Sequence, residues 1–312
     1  MPRRPGSVST LAPVPAPSVV LAREVPQDVI VSRVRAGAWV KVGHGAYVAA
    51  GTSPLDAAIA RAAGLHARLT APHAFSHETA ALLHGLRVWS VPERTHVRQQ
   101  HRAGGLSDRR VARHCPLPDA SRIVVRAGLP VTDLETTTWD CLTSLPPLPA
   151  LVVADAALRA GADRELLAAR AHGLRGRGTA RGRFLLGLAD DGAESPRETM
   201  ARFALLRAGL PAPETQVRVE TPRGTYWADL GWPRWRLLVE YDGLEKYEGR
   251  EREHLLDEKI RRDAIAEAGW RTVHLTKRDT LDAVAARVRP YLPDRVLAAS
   301  TPPRFLHPLV LR

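Results

Sequence analysis

Residues 226–242, YWADLGWPRWRLLVEYD, decide the fold of the C-terminal part of this chain. Two apolar runs flank the turn at 231–233, so the stretch predicts an antiparallel hairpin. Side chains alternate across a strand, which places Glu240 and Asp242 on one face of the second strand. A short hairpin would bring Asp229, at the end of the first strand, beside Glu240. We therefore expect three carboxylates to converge on one surface of a sheet.

Carboxylates that crowd together on a sheet repel one another and lose solvation. Proteins commonly resolve such a cluster by binding a divalent cation through oxygen ligands. Mg²⁺ or Mn²⁺ held there would polarise a scissile phosphate, lower the pKa of a bound water and neutralise developing negative charge. The spacing therefore predicts a divalent metal centre.

The flanking segments predict that helices and further strands surround this hairpin. Upstream, Ser195 is a helix N-cap, Pro196 takes the first helical position, and Gly209 ends the helix. Glu198 would complete a capping box with Ser195. QVRVE predicts a strand before the hairpin, and EREHLLDEKIRRDAIAEAGW, WRTVHLT and TLDAVAARVRPYL predict a helix, a closing strand and a last helix after it. The predicted fold is an α/β sandwich around the carboxylates.

Several residues of this region occur in an order that is typical of one nuclease family. They are Glu198, Gln216, Asp229-Leu-Gly-Trp, Val-Glu240-Tyr-Asp242-Gly, Lys246, Asp257, Arg261, Arg262 and Gly269-Trp270-Arg-Thr-Val. Residues 194–292 thereby resemble the DUF559 branch of the PD-(D/E)xK nucleases, which is close in fold to the very short patch repair endonucleases. The resemblance implies a restriction-endonuclease-like α/β sandwich and a metal-dependent endonuclease that hydrolyses DNA.

The resemblance also implies roles for individual residues. Asp229 and Glu240 would bind the metal through their carboxylates, and Tyr241 through its backbone carbonyl. Glu198 would complete the site from the first helix, or it serves as a helix cap alone. Gln216 would orient a metal-bound water or a phosphate, or it is an exposed strand residue without a function.

The sequence departs from the family pattern at two catalytic positions. Asp242 stands where the superfamily has a lysine two residues after the acid, and Lys246 stands where this branch commonly has a histidine. A lysine stabilises a transition-state phosphate, but it does not readily transfer protons at neutral pH as an imidazole does. The alternative hypothesis is therefore an antitoxin-like DNA-binding regulator that keeps the nuclease fold with weak or no turnover.

Two arginines on the helix after the hairpin are candidates for contact with nucleic acid. Arg261 and Arg262 lie in a heavily charged segment. They would approach a phosphate or pair with an active-site acid, and ion pairs on a solvated amphipathic helix explain them nearly as well.

Residues 24–50 predict a winged-helix-like element. VPQDVIVSRVRAG predicts a short helix that ends at Gly37, and WVKVGHGAYV predicts two strands around a Gly-His-Gly turn. Arg33 and Arg35 on the helix and Lys41 on the hairpin occupy positions from which a winged helix contacts DNA. The other interpretation is a helix capped by a hairpin in any α/β domain.

The region 51–188 alternates helical and strand-like runs and is predicted to be an α+β region. VRAGAWVKVGHGAYV, FSHETAALLHGL and LPVTDLETTTWDCL resemble AbiEi-type antitoxin and transcriptional-regulator proteins. His73, His77 and His84 with Cys115 suggest a zinc site. Ser76 is a natural cap for the helix that carries them, so we interpret these histidines as structural.

The remaining boundaries follow from composition. Residues 1–23 are proline-rich and are predicted to be a disordered lead, residues 190–298 to be the nuclease-like domain, and residues 299–312 to be a poorly ordered tail. The prolines of the lead argue against a secretory signal, and no apolar run is long enough for a membrane span. Two cysteines without a CxxC pair favour a cytoplasmic protein.

Charge points to a polyanionic partner. The chain has 45 Lys and Arg against 33 Asp and Glu, a net charge of +12. Arginine-rich surfaces bind phosphates by releasing counterions. A GC-rich genome produces a similar composition, so charge alone does not decide the matter. We expect DNA as the partner and no membrane, RNA is not excluded, and the sequence indicates no oligomeric state.

Overall fold

The computed structural model describes residues 14–101, 108–242 and 251–307, and the side chains of 251–255 are not among those described. The fold is mixed α/β with three sheets in the described residues. The strands are β1 Val20–Leu21, β2 Trp39–Gly43, β3 Ala46–Ala49, β4 His73–Phe75, β5 Thr95–Gln99, β6 Val111–His114, β7 Ile123–Arg126, β8 Leu129–Thr132, β9 Glu214–Thr221, β10 Gly224–Trp232, β11 Leu237–Tyr241 and β12 Arg271–Leu275. The helices are α1 Gln27–Arg35, α2 Pro54–His66, α3 His77–Leu83, α4 Leu134–Ser144, α5 Pro147–Arg159, α6 Arg164–His172, α7 Thr179–Leu188, α8 Pro196–Arg207, α9 Glu251–Glu267, α10 Leu281–Val288 and α11 Asp294–Ala298.

The chain forms two compact units. Among the described residues, the N-terminal unit comprises 14–145 and 160–183, and the C-terminal unit comprises 146–159 and 184–307. This division differs from the predicted boundaries, because α5 lies within the predicted middle region yet belongs to the C-terminal unit. The physical reason is that α5 carries Asp155, which pairs with Arg202 of α8. No helix in the described residues is both long and apolar enough to span a membrane.

The first sheet of the N-terminal unit confirms the predicted helix followed by a hairpin. β2 and β3 pair antiparallel, and Gly45 in the turn between them has a φ of +71°, which glycine adopts without strain. β1 pairs with β3 through Val20 and Tyr47. The predicted disordered lead is therefore wrong at residues 20–21, because these residues find backbone partners. Residues 1–13 lie outside the described part of the chain.

The second sheet of the N-terminal unit has five strands in the order β6-β5-β4-β8-β7. Its central strand β4 runs antiparallel to β5 and parallel to β8. Phe75, Leu83, Val97 and Val131 are fully buried together in the core beneath this sheet. The predicted α+β character of the middle region is confirmed by these elements.

The C-terminal unit is built on a four-stranded sheet in the order β12-β11-β10-β9. β9, β10 and β11 form the predicted antiparallel meander, and β12 closes the sheet parallel to β11. Residues 237–239 are at most 1% exposed. An uninterrupted buried run of this kind is typical of a strand that is covered on both faces. Helices on the sheet supply this cover, since α8 and α9 both contact its strands.

The segment after α11 is ordered further than the sequence predicts. The predicted tail 299–312 includes a short 3₁₀ turn at Arg304–Leu306. Leu306 is 1% exposed, and the ring of Phe305 lies 5.4 Å from that of Phe184. The prediction of a poorly ordered tail is therefore wrong through residue 307, because these apolar side chains dock on the unit. Residues 308–312 are outside the described chain.

Candidate active site

The hairpin brings Asp229 and Glu240 together on adjacent strands, although Asp229 does not end its strand as predicted, because β10 continues to Trp232. Leu230 pairs with Val239, and continuing that register places Asp229 opposite Glu240. The backbone N–H of Tyr241 donates a 2.8 Å hydrogen bond to Oδ2 of Asp229. This bond ties Asp229 to the neighbouring strand and fixes the direction of its carboxyl group.

Glu198 caps its helix and also lies near Asp229. Its Oε1 accepts a 2.9 Å hydrogen bond from the Ser195 hydroxyl, and its Oε2 accepts a 2.6 Å bond from the backbone N–H of Glu194. Ser195 in turn accepts from the backbone N–H of Glu198 at 3.2 Å. The predicted cap is thus confirmed. Glu198 is 9% exposed and close enough to raise the pKa of Asp229, so its capping role and its place in the cluster coexist.

Asp229 has the most perturbed carboxyl group of the cluster. Its pKa is raised to about 8, chiefly by burial and further by the charges of Glu198 and Glu240, while the Tyr241 N–H and Arg261 partly oppose the rise. Burial also raises the pKa of Glu198. Carboxyl groups that share a poorly solvated site resist simultaneous ionisation. A cation that enters the cluster would relieve this resistance, and the free chain holds a proton there at neutral pH.

Arg261 and Arg262 pair with the acids of the cluster. Arg261 forms a bidentate interaction with Glu240 and donates a 3.2 Å hydrogen bond to the carbonyl of Trp227. Arg262 Nη2 lies 3.0 Å from Asp242 Oδ2, and both arginines contact Glu258. The structure therefore shows two of the alternatives left open by the sequence, the pairing with acids of the site and the ion pairs within the helix.

His274 is a member of this site that the sequence analysis missed. It is the parallel partner of Glu240 on β12, and its Nδ1 lies 3.8 Å from Glu240 Oε2 and 3.6 Å from Asp242 Oδ2. This buried nitrogen has no hydrogen-bond partner in the described structure. The His274 side chain, opposed by burial and aided by Arg262, lowers the pKa of Asp242. The alternation in WRTVHLT places His274 on one face of its strand, but the sequence alone does not give the register of that strand against LLVEYD.

Gln216 lies opposite Asp229 on the other neighbouring strand. Its neighbours Thr215 and Val217 pair with Leu230 and Ala228, and the register between these pairs is interrupted at Gln216. Its φ of +50° is in the left-handed region, which costs about 1–2 kcal/mol for a residue with a Cβ. The predicted strand position of Gln216 is confirmed, and the strand is locally distorted there.

The chemistry of these donors fits a hard divalent cation. Asp229 and Glu240 offer carboxylates and Tyr241 a backbone carbonyl, the ligand types that Mg²⁺ and Mn²⁺ prefer. Among the described residues these acids do not form a set whose ligand atoms all lie within 4.8 Å. Glu240 is engaged by Arg261, so a cation would share Glu240 with Arg261 and draw the acids together. Lys246 lies outside the described residues.

The predicted nucleic-acid contacts of the N-terminal unit lie on its surface. Arg33 and Arg35 occupy the last turn of α1, Lys41 lies in β2, and all three are exposed. Exposed cations on a helix and an adjacent hairpin are compatible with phosphate contact.

Comparison with known proteins finds partial relatives. The chain is similar to two uncharacterized proteins from two strains of Mycobacterium tuberculosis, with 36% identity over 149 residues. The match covers 46% of this chain and 54% of each relative, so the chain spans about half the length of the proteins it matches. No family model matches the chain, and no solved structure matches it.

Proposed function

We propose that the C-terminal unit is a Mg²⁺- or Mn²⁺-dependent endonuclease that hydrolyses phosphodiester bonds of DNA, with Asp229 and Glu240 as its metal ligands. The observation that carries the proposal is the convergence of Asp229 and Glu240 on adjacent strands. Burial, together with the charges of Glu198 and Glu240, raises the pKa of Asp229 to about 8. Strongly perturbed acids in a cluster are typical of functional sites, where burial and like charges are arranged to tune ligand binding and proton transfer.

Each residue of the cluster has a task in this proposal. Bound Mg²⁺ or Mn²⁺ would polarise the phosphate and acidify a water. The Tyr241 N–H holds Asp229 in position. The carboxylate of Glu198 adds negative charge near Asp229. His274 offers an imidazole beside Glu240 and Asp242, and an imidazole transfers protons at neutral pH more readily than a lysine does. Arg261 limits the net negative charge before the cation binds.

The test compares full-length wild type with Asp229→Asn on supercoiled plasmid and on labelled single-stranded and double-stranded DNA and RNA, with Mg²⁺, Mn²⁺ or chelator. Asn keeps the size of the side chain and an acceptor for the Tyr241 N–H. Loss of a metal ligand that supplies several kcal/mol should lower cleavage by at least about 100-fold. Glu220→Gln, an exposed acid on β9, is the matched control and should cut like wild type. Equal cleavage by Asp229→Asn would disprove the assignment.

A second candidate function is a DNA-binding regulator that keeps this fold without turnover. One observation favours it. The two terminal nitrogens of Arg261 donate hydrogen bonds to both carboxylate oxygens of Glu240, an arrangement that is also typical of a structural ion pair. The exposed Arg33 and Lys41 would then supply phosphate contacts. This candidate requires binding to DNA in the presence of chelator and no cleavage under any condition.

Salt dependence tests the regulator directly. Each phosphate contact that is lost should reduce the slope of log K against log salt by about 1. Arg33→Gln and Lys41→Gln should each show this change, and Arg218→Gln, an exposed cation of the C-terminal unit, serves as the control. Unchanged slopes in both variants would exclude the α1 and β2 surface as the contact.

A further inference from the structure

Three histidines of the N-terminal unit converge although they are far apart in sequence. His77 begins α3, His96 lies in β5 and His114 ends β6. Their ligand atoms all lie within 4.8 Å of one another, which holds for no other set of His, Cys, Asp or Glu in the described residues. We propose that His77, His96 and His114 form a binding site for Zn²⁺, with the fourth position open to water or to one further ligand.

The spacing of the nitrogens suits a tetrahedral ion. His96 Nδ1 and His114 Nε2 are 3.1 Å apart. Zn–N bonds of 2.0–2.1 Å in a tetrahedron separate two ligand nitrogens by about 3.3 Å. The ring of His77 stacks on that of His114 with centroids 3.8 Å apart and an interplanar angle of 20°. The ligand nitrogen of His77 nevertheless lies within 4.8 Å of those of His96 and His114.

An outer shell of partners already orients His77. Its Nδ1 lies 2.9 Å from the Ser76 hydroxyl and 3.5 Å from Asp140 Oδ2, which leaves Nε2 for the ion. Asp140 is fixed in turn by a bidentate interaction with Arg98. Carboxylate-to-histidine contacts of this kind are the usual second shell of protein zinc sites. The predicted cap Ser76 thus bonds the His77 ring, and no side-chain cap bond to the helix is present.

The set differs from the histidines that the sequence suggested. His73 pairs with His66 at 2.9 Å, and His84 Nε2 lies 2.8 Å from the Thr132 carbonyl. Cys115 is exposed and does not belong to the group of convergent ligands. Only His77 of the suggested residues belongs to the cluster, because strand register rather than helix spacing assembles it.

The experiment uses the full chain without an affinity tag, stripped with chelator and dialysed against Zn²⁺. Mass spectrometry of the metal content should give one tightly held Zn²⁺ per chain. His96→Gln and His114→Gln should each weaken binding by at least about 100-fold, and Asp140→Asn by about 10–100-fold as an outer-shell partner. His44→Gln, an exposed histidine of the same unit, is the matched control and should bind like wild type.

Two results would overturn the proposal. One is wild-type protein that retains no Zn²⁺ at micromolar concentration, and the other is equal retention by both folded histidine variants. Circular dichroism checks that the variants fold. If they do not, the Co²⁺-substituted wild type decides: a visible spectrum without a thiolate charge-transfer band supports histidine ligation, and a strong thiolate band rejects it. Both readouts are independent of nuclease activity.

Discussion

Removing Arg202 from the C-terminal unit should destabilise that unit severely. Asp155 on α5 is 1% exposed and its two oxygens each lie 2.8 Å from Nη2 of Arg202, which is 5% exposed on α8. Thr199 and the backbone N–H of Asp190 donate further bonds to the same carboxylate. The Arg202→Met variant leaves this carboxylate buried without its cation.

The expected loss is about 3–5 kcal/mol of unfolding free energy, the usual cost of a buried charge deprived of its partner. For a unit of this size the loss corresponds to a fall in Tm of roughly 6–20 °C. The measurement is urea unfolding followed by circular dichroism, together with calorimetry to separate the transitions of the two units. Arg218→Met is the control, because its ion pair with Glu220 is exposed and should contribute less than about 1 kcal/mol.

A double variant distinguishes the lost charge pair from lost packing. Asp155→Asn keeps an acceptor for the Asp190 N–H but carries no charge. Combined with Arg202→Met, it should recover part of the stability that the single variant loses, because no buried charge remains. If the double variant is less stable than Arg202→Met alone, or if Arg202→Met costs less than about 1 kcal/mol, the reasoning about this pair is refuted.

Three further predictions concern other places in the fold. Gly64→Ala would put a Cβ 2.3 Å from a neighbouring alanine Cβ and should cost about 1–3 kcal/mol in urea unfolding, while Gly187→Ala, which meets nothing within 4 Å, should add up to about 1 kcal/mol. Burial lowers the pKa of His84 below its value of about 6.5 in the unfolded chain. The contribution of neutral His84 to the unfolding free energy is therefore present above about pH 6.5 and is lost as the pH falls toward the pKa of the folded state. His84→Gln should therefore flatten the dependence of unfolding free energy on pH between about 7 and 5, and an unchanged slope would contradict the argument. Gln216→Gly should raise the unfolding free energy by up to about 1 kcal/mol and Gln216→Val should lower it, because the φ of +50° strains any residue with a Cβ.

Local patterns predicted the carboxylate site well. The alternation of LLVEYD and the short turn before it were sufficient to place Asp229 beside Glu240, and the cap at Ser195 follows from four residues of sequence. These features depend on neighbours in the chain or across one tight hairpin. The sequence could not show that His274 joins them, because β12 pairs with β11 only after a helix has intervened.

Long-range pairing explains the other omissions. His96 and His114 meet because β5 and β6 align in parallel, and no spacing in the sequence encodes that register. Asp155 and Arg202 are 47 residues apart, and each alone looks like an ordinary charged residue of a helix. The left-handed backbone at Gln216 gave no signal, because glycine or asparagine is the usual mark of that conformation.

The position of α5 has a consequence for how the protein is made. A ribosome that adds about 5–20 residues per second takes roughly 2–10 s to pass from Asp155 to Arg202, which are 47 residues apart. During that interval α5 has been synthesised, yet the helix that neutralises its buried carboxylate has not. Residues 150–154 are all at most 2% exposed in the finished fold. Before α8 has been synthesised, part of this apolar surface remains uncovered. Nascent chains should therefore be most vulnerable to aggregation or chaperone capture in this window, and slower translation between α5 and α8 should lengthen it.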